Sequence, residues 1–317
     1  MTHAPPPAAP PTAAEIAADF RALIEAAPAF DTAAAEAARA GLDGADALAE
    51  LAGWIAGWRG TPRVGRTIVG LYAASHAAEP LGAAEARTRL EALAQGAGAV
   101  NRIGRSLGAG VDVFDLALDK PVRDAAFARA LSLREAAATM AFGMEVLAKE
   151  PDLLILGDIA PGSVPAAAAL IAGLTTGLTG GDPDALSLPH ERDRTRQALD
   201  RARAAGPEGP LDWLAELGGR EIAALTGAIL GARASGVPVL AEGMAAAAAA
   251  LLAHAIHADA TAALRLVAPH PHPAHAAVAR ALGTAPVLGT PSPDHEGVGG
   301  LSVLALLRLV PPVKSLS

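Results

Sequence analysis

Two acidic side chains stand beside glycines in patterns that are typical of sites where a carboxylate does chemistry. Asp158 follows an apolar run in the stretch LLILGDIAPGSV, and Glu296 is the centre of DHEGVGG, residues 294–300. A carboxylate in a pocket from which water is excluded can accept a proton from a substrate. A simpler interpretation places Glu296 near the first turn of a helix, where the helix dipole favours an acidic residue without catalysis. Composition alone leaves both interpretations open.

The loop after LLILGD predicts a binding site for an anion. Pro161 and Gly162 lead to Ser163, a residue type that commonly caps a helix, and the helix is expected to stop at Gly180 and Gly181. A helix start presents free backbone N–H groups and a partial positive charge. Open α/β sheets bind ligands at the carboxyl ends of their strands, so a carboxylate or phosphate is expected there.

The elements that must position these residues alternate between short apolar runs and helical patterns. The predicted strands are residues 66–73, 111–117, 153–156, 237–241 and 263–268, and Gly157 is expected to end the third. The predicted intervening helices are residues 83–107, 133–149, 189–205, 219–235, 243–258 and 275–282, followed by 301–309. This alternation predicts an α/β fold with a doubly wound, mostly parallel sheet flanked by helices.

The ends of the chain are predicted to differ from this central pattern. Residues 1–11 are rich in proline and alanine and are expected to form a disordered tail. Residues 12–60 are predicted to be helical and to open with a capping box between Thr12 and Glu15. Residues 61–317 are expected to form the α/β domain, with a small helical subdomain built from the N- and C-terminal segments.

Composition excludes several classes of protein. The chain has 317 residues and a net charge of −8, which argues against a nucleic-acid-binding surface. It contains no cysteine, so disulfides and thiolate metal sites are excluded. The alanine-rich run near residue 250 is too short for a membrane span, and the N-terminus lacks the pattern of a signal peptide. We therefore expect a soluble, cytoplasmic protein that does not bind membranes.

Three local motifs are better explained by structure than by function. GTPRVGRT, residues 60–67, approaches a phosphate-binding P-loop, but it precedes a strand instead of following one. Gly96 and Gly98 are expected inside a helix, where small residues permit close packing. The segment PHPHPAH contains the histidines His270, His272 and His275, for which a solvated or capping role is favoured over a metal site because no acidic residue is adjacent.

Three longer stretches resemble the family of nicotinate-nucleotide:dimethylbenzimidazole phosphoribosyltransferases. LGDIAPGSVPAAAA is similar to the family's strand, Gly-Glu turn and Thr-Pro-Ala-Ala-Ala helix start. GGREIAALTGAILGARASGVPVLAEG resembles its Gly-Gly helix, its Gly-x-Pro-Val strand and the acidic-Gly end of that strand. Residues 282–304 are similar to its Leu-Gly…Gly-Glu-Gly-x-Gly ending. The resemblance spans roughly residues 48–309, and the order and spacing of the motifs carry it.

The resemblance implies transfer of ribose phosphate from nicotinate mononucleotide to dimethylbenzimidazole or a related azole, which gives α-ribazole phosphate and nicotinate for the lower ligand of cobalamin. No cofactor is implied, because nicotinate departs as a neutral ring nitrogen without a metal. Glu296 matches the family's glutamate and is the expected general base, and Asp158 is expected to order water or orient a ligand. The implied substrate-binding residues are Gly157, Gly162, Ser163, Gly180, Gly181, Arg196, Glu242 and Gly297.

Departures from the family pattern concentrate on the expected azole pocket. His76 lies in ASHA, residues 74–77, where the family has Ala-Asp-His-Gly, so Ser75 and Ala77 are the replacements there. Arg89 replaces a glutamine, and His295 replaces a glycine. Two alternatives follow: the acceptor is an azole other than dimethylbenzimidazole, or the chain is a paralogue that binds a nucleotide without transferring it. An unrelated oxidoreductase is disfavoured, because the first strand leads into AASHAAEP and not into a glycine-rich turn. Similarity to the family also implies a homodimer.

Overall fold

The computed structural model describes residues 10–42, 45–179, 182–292 and 295–310. Within these ranges, five strands form one sheet: β1 (Thr67–Ala73), β2 (Ala109–Asp115), β3 (Leu153–Ile159), β4 (Val239–Ala241) and β5 (Leu264–Leu266). The strand order is β2-β1-β3-β4-β5, and every neighbouring pair is parallel. The structure thus confirms the predicted parallel α/β sheet.

Helices cover both faces of this sheet. In the described ranges they are α1 (Ala13–Glu25), α2 (Thr32–Ala40), α3 (Asp46–Arg59), α4 (Gly82–Ala94), α5 (Ala99–Leu107), α6 (Leu133–Gly143), α7 (Ser163–Thr179), α8 (Arg192–Ala204), α9 (Pro210–Leu217), α10 (Arg220–Ala234), α11 (Gly243–Ile256), α12 (Pro273–Ala281) and α13 (Val298–Leu307). No helix in these ranges has the length and apolar character that crossing a bilayer would require.

Alternate residues of the central strand β3 enter two separate apolar cores. Leu154 and Leu156 pack into a core with helices α6 to α12, whereas Leu153 and Ile155 pack into a core with α3, α4, α5 and α13. Because both faces are buried, every residue of β1 and β3 is inaccessible to solvent. This burial explains the unbroken apolar runs in the sequence and confirms the doubly wound architecture.

Several predicted boundaries differ from those in the structure, and two of the differences affect the candidate site or the helices near it. Gly157 does not end β3; it pairs in register with Leu71 of β1, and the strand continues to Ile159. The predicted helix over residues 83–107 is two helices, so Gly96 and Gly98 lie between them and not inside a helix. Gly96 has a φ of +78°, a left-handed conformation that glycine adopts without strain.

The N-terminal segment begins as predicted. Thr12 caps α1, and its backbone N–H donates to Glu15 at 2.8 Å to complete the capping box. Helix α1 packs against the core that contains α10, whereas α3 packs against α13 on the opposite face. Residues 1–9 of the predicted tail lie outside the described residues. The proposed subdomain division stays a prediction.

Candidate active site

The change in direction of the chain within the sheet creates a crevice between β1 and β3. From β1 the chain proceeds to β2 on one side, and it then returns to β3 on the other side of β1. The loops after β1 and β3 therefore leave in different directions above the carboxyl ends of these strands, a position where open α/β sheets bind ligands. His76 follows β1, and Asp158 lies one residue before the end of β3.

Asp158 is buried in this crevice and touches the start of the next helix. Its side chain is 1% exposed, and its Oδ2 accepts a hydrogen bond of 3.0 Å from the hydroxyl of Ser163. Ser163 is the first residue of α7, and Gly162 before it has a φ of +90°. The buried carboxylate and the serine hydroxyl thus meet at the start of α7. The N–H of Ser163 donates to the carbonyl of Ala160, and residue 165 is a proline without an N–H, so the first three residues of the helix leave the N–H of Val164 for a ligand.

The segment before α13 is seated against the same end of β3. The backbone N–H of Asp158 donates to the carbonyl of His295 at 3.0 Å, and His295 Nδ1 lies 3.1 Å from the carbonyl of Asp158. A β-carbon on Gly157 would lie 2.0 Å from the His295 carbonyl oxygen, so only glycine allows this approach. A β-carbon on Gly297 would likewise lie 2.6 Å from a methyl group of Val69, so the segment also packs closely against β1. Residues distant in sequence therefore meet at the carboxyl ends of β1 and β3.

Glu296 is paired with Arg89 of α4. Arg89 Nε donates to Glu296 Oε1 at 2.7 Å, and its Nη2 donates to Oε2. The Glu296 side chain is 18% exposed and that of Arg89 is 37% exposed. The pair is thus partly exposed, so that a ligand can reach it. Two donors fix the plane of the carboxylate.

Glu242 holds the start of α13. Its Oε1 accepts from the N–H of Gly299 at 2.9 Å, and its Oε2 accepts from the N–H of Gly300 at 2.7 Å. Glu242 itself follows β4 and is 2% exposed. The sequence predicted a substrate-binding role for this residue; the contacts in the structure are those of a helix cap. The substrate-binding role stays a prediction.

A cavity of about 400 Å³ opens beside Gly162 and His76. Its walls come from the loop after β2, from α7 and from α8, and the α8 arginine that lines it is Arg194. Arg194 also binds Asp124. Arg196, the predicted phosphate ligand, binds Asp184 and Asp193 instead and is not among the lining residues. Residues two positions apart in a helix point about 200° away from each other around its axis. Arg194 and Arg196 therefore lie on different sides of α8.

His76 forms a buried pair that the sequence did not indicate. His76 Nε2 lies 3.1 Å from Oε1 of Glu221, and the two side chains are 5% and 0% exposed. Burial is the largest single influence and lowers the pKa of His76. The charge and the hydrogen bond of Glu221, together with the charge of Asp158, outweigh it, so the pKa of His76 is raised above its ordinary value. Glu221 is the residue that sequence reasoning missed, since its partner is 145 positions away.

The histidine segment near residue 270 has a structural role. His272 caps α12 by accepting from Ala274 N, and its Nε2 lies 3.0 Å from Glu191 Oε2. Burial lowers the pKa of His270 and His275 to about 4. Within the described ranges, no group of three or more acidic or histidine side chains is arranged to hold a metal ion. The capping role is confirmed for His272, although His272 and His275 are buried and not solvated.

Two predicted ligand-binding glycines cannot be placed. Gly180 and Gly181 fall outside the described residues, just beyond the end of α7. The other predicted residues near the crevice, Asp158, Gly162 and Ser163, meet at the carboxyl end of β3 as described above. Glu296 directly follows His295 in sequence, and His295 binds to Asp158.

Comparison with known proteins gives one consistent family. The sequence model of a family described as phosphoribosyltransferase (DBI_PRT) matches residues 28–311. The nicotinate-nucleotide–dimethylbenzimidazole phosphoribosyltransferase of Sinorhizobium medicae is 36% identical over 312 residues, which cover 92% of this chain and 91% of the relative. The enzyme of the same name from Agrobacterium fabrum is 35% identical, with coverages of 92% and 90%.

A solved structure gives the same result. The crystal structure of the nicotinate-nucleotide–dimethylbenzimidazole phosphoribosyltransferase from Thermus thermophilus superposes with a TM-score of 0.74 at 27% identity. The superposition covers 93% of this chain and 94% of that chain. The similarity therefore extends over the sheet, the crevice and the segment that carries Glu296.

Proposed function

Since this chain belongs to the family of nicotinate-nucleotide–dimethylbenzimidazole phosphoribosyltransferases, we propose that it transfers ribose phosphate from nicotinate mononucleotide to an azole. The products are an α-ribazole phosphate and free nicotinate. Dimethylbenzimidazole is the acceptor named in its relatives. The observation that carries the proposal is the convergence of Asp158, Ser163 and the Glu296 segment at one crevice.

The reaction needs a proton acceptor but little other chemical assistance. The C–N bond to the pyridinium breaks, its electron pair stays on the ring nitrogen, and nicotinate leaves as a neutral pyridine. One azole nitrogen forms the new bond to the anomeric carbon, and the proton on the other nitrogen must be removed. Glu296 takes this proton in our proposal, because its carboxylate is partly exposed and it follows His295, whose backbone contacts the end of β3.

Arg89 is proposed to orient that base. Its two donors hold both oxygens of Glu296. An azole N–H that approaches the pair competes with the guanidinium for one oxygen, and the other oxygen can remain bound to Arg89. This arrangement supports a carboxylate that is oriented before the acceptor arrives, which lowers the cost of reaching the reactive geometry.

The nucleotide is proposed to bind between the end of β3 and the cavity beside α7. Asp158 and the hydroxyl of Ser163 lie beside this region, and the N–H of Val164 together with the dipole of α7 suits an anionic oxygen. Arg194 adds a cation to the cavity wall. Gly157, Gly162 and Gly297 serve this placement indirectly, because their missing side chains allow the segments around the crevice to pack closely.

A homodimer is also proposed, and one edge of the sheet supports it. β2 is an edge strand whose Val111, Val113 and Phe114 are only half-buried. Phe142 of α6 packs edge-on against Phe114 and is 43% exposed. An apolar edge of this kind is normally covered. Light scattering would test the proposal, and a mass of one chain at micromolar concentration would refute it.

The activity is tested directly by the release of nicotinate. The purified chain is incubated with nicotinate mononucleotide and, in separate reactions, with dimethylbenzimidazole, benzimidazole, imidazole and adenine. We expect release that requires an azole and that produces a ribazole phosphate detectable by mass spectrometry. Binding of the mononucleotide without release in any reaction would refute the transferase and support a nucleotide-binding paralogue.

A further inference from the structure

The crevice contains one buried acid–base pair that the proposed reaction does not use. Glu221 lies in the first turn of α10, and its side chain is 0% exposed. Its Oε1 binds His76, whereas its Oε2 has no hydrogen-bond partner among the described residues. A buried carboxylate with one unsatisfied oxygen costs stability. The arrangement therefore calls for an explanation beyond folding.

Gly219 precedes α10, and its lack of a side chain leaves room for the carboxylate of Glu221. A β-carbon on Gly219 would lie 2.2 Å from Oε1 and 2.5 Å from Oε2 of Glu221. The carboxylate thus folds back over the N-terminus of its own helix, where the helix dipole favours a negative charge. In this position it reaches across to His76, which follows strand β1.

His76 in turn faces the cavity beside α7. It is one of the lining residues, and a β-carbon on Gly162 would lie 3.0 Å from its Cβ and 3.4 Å from its Cγ. Among the described residues, Glu221 is the only hydrogen-bond partner of the ring, through Nε2. The second nitrogen, Nδ1, is therefore available to a ligand that also contacts the backbone at the start of α7.

The remaining charged groups around His76 are of both signs. Asp158 of β3, Glu79 of the loop after β1 and Glu191 before α8 are acidic, as is Asp124 of the loop after β2. The basic groups are Arg220 of α10, Arg123 of the loop after β2, His190, and Arg194 of α8. Arg194 and Arg220 already bind Asp124 and Glu135, respectively. The charge on His76 therefore decides whether an anion is attracted to this end of the cavity.

We propose that Glu221 is a positioning residue that keeps the His76 imidazole protonated at the floor of the cavity, where Nδ1–H and the N-terminus of α7 bind an oxyanion of the substrate. The inference rests on the proposed function, since the anion is then the carboxylate or the phosphate of nicotinate mononucleotide. The proposal assigns His76 to the nucleotide-binding part of the site, whereas the sequence placed it in the azole pocket.

Calorimetry with anions of constant charge tests the proposal. Sulfate represents the phosphate and nicotinate supplies the carboxylate, and neither changes its ionisation between about pH 6 and about pH 9. We expect one of these probes to bind the wild-type chain about tenfold or more weakly at the higher pH, because a charge-assisted hydrogen bond is lost with the proton. If sulfate loses affinity at the higher pH, the group that His76 binds is the phosphate of the nucleotide. If nicotinate loses affinity, the group is the carboxylate.

Two variants separate positioning from general stability. Glu221→Gln keeps the shape of the side chain but removes its charge, so the midpoint of the affinity loss should move to lower pH. Glu216→Gln is the matched control, because Glu216 is a buried carboxylate bound by Arg129 and Arg201 and does not line the cavity. Its midpoint should equal that of the wild type. Equal midpoints in all three proteins would overturn the proposal, as would pH-independent binding of both probes.

A measurement on the wild-type chain covers the case in which Glu221→Gln does not fold. The imidazole nitrogen signals of His76, assigned by comparison with His76→Gln, are followed against pH with and without the probe that binds. The probe should raise the pKa of His76, and an unchanged titration would overturn the proposal. None of these experiments contains an azole, so a failure of the transferase activity would be seen separately in the nicotinate-release assay.

Discussion

Arg89 and Glu296 are held together by two parallel hydrogen bonds, although they lie 207 positions apart in sequence. Arg89 belongs to a helix on one face of the sheet, and Glu296 belongs to the segment that crosses the carboxyl ends of the strands. The pair therefore ties this segment to the helix after β1. It also fixes the direction of the carboxylate that we propose as the base.

Replacing Arg89 by methionine should lower kcat by about 10-fold to 100-fold, because the carboxylate is no longer held in its reactive orientation. The free energy of unfolding should change by less than about 1 kcal/mol, since the pair is partly exposed. The matched control is Arg39→Met: Arg39 binds Glu50 through the same two-pronged contact, with the arginine 35% exposed. An equal loss of kcat in both variants would show that the effect is not specific to the site.

Glu296→Gln should lower kcat by about 10² to 10⁴, the range typical of general-base catalysis. The affinity for nicotinate mononucleotide should remain close to that of the wild type, because the proposed nucleotide contacts lie nearer to β3 and α7. Glu50→Gln, a change of the same type in the pair formed with Arg39, should leave kcat unaltered. Undiminished turnover in Glu296→Gln would remove this residue from the mechanism.

Gly157→Ala should damage both stability and activity. The added methyl group would lie 2.0 Å from the carbonyl of His295, which must move away from β3. Overpacking of this kind costs about 1 to 3 kcal/mol, measurable by urea unfolding. Gly289→Ala, in the stretch between α12 and α13 that also carries His295, is the control, because nothing lies within 4 Å of its added methyl group. If Gly157→Ala had the same free energy of unfolding as the control and kept full turnover, the close packing of His295 against Gly157 would not be needed for stability or activity.

The stability of the protein should fall as the pH is lowered from about 6.5 towards about 4. Burial depresses the pKa of His275 to about 4, so the unfolded chain binds a proton in this range that the folded chain does not. The contribution of His275 is thus complete above its unfolded pKa and is lost as the pH falls through the folded value. We expect about 1 to 3 kcal/mol from this residue.

His275→Phe should remove part of this pH dependence, because phenylalanine suits an apolar site and cannot be protonated. Urea unfolding of both proteins across this pH range gives the comparison. His190→Phe is a suitable control for the loss of an imidazole, since His190 is 75% exposed in its side chain. Parallel curves for the wild type and His275→Phe would show that His275 does not carry the effect.

The sheet could be predicted because its strands are buried on both faces. Each strand of the sheet overlaps a short apolar run, and the resulting α/β alternation is a strong signal. The end of β3 could not be predicted, because Gly157 is a residue that usually marks a turn. Here it stays in register with β1, and its missing side chain admits the carbonyl of a segment far along the chain.

The site was predictable only where local sequence carries the signal. The glycine-rich surroundings of Asp158 and Glu296 indicated both residues, and the structure joins their segments at one edge of the sheet. The pair between His76 and Glu221 left no such signal, because its two members come from a loop and a helix far apart in sequence and neither residue type is unusual in its place. Arg196 was the predicted ligand on α8, whereas Arg194 is the α8 arginine that lines the cavity, because composition does not reveal which side of a helix faces inward.

The order in which the chain leaves the ribosome gives the segment before α13 a further importance. All five strands are complete once β5 has emerged, but the apolar contacts of Gly297 with Val69 and of Gly300 with Ile155 form only with the last described helix. Until then the face of the sheet that α3, α4 and α5 cover lacks the part of its cover that α13 supplies. The same segment that carries the proposed base therefore also completes the burial of this face of the sheet.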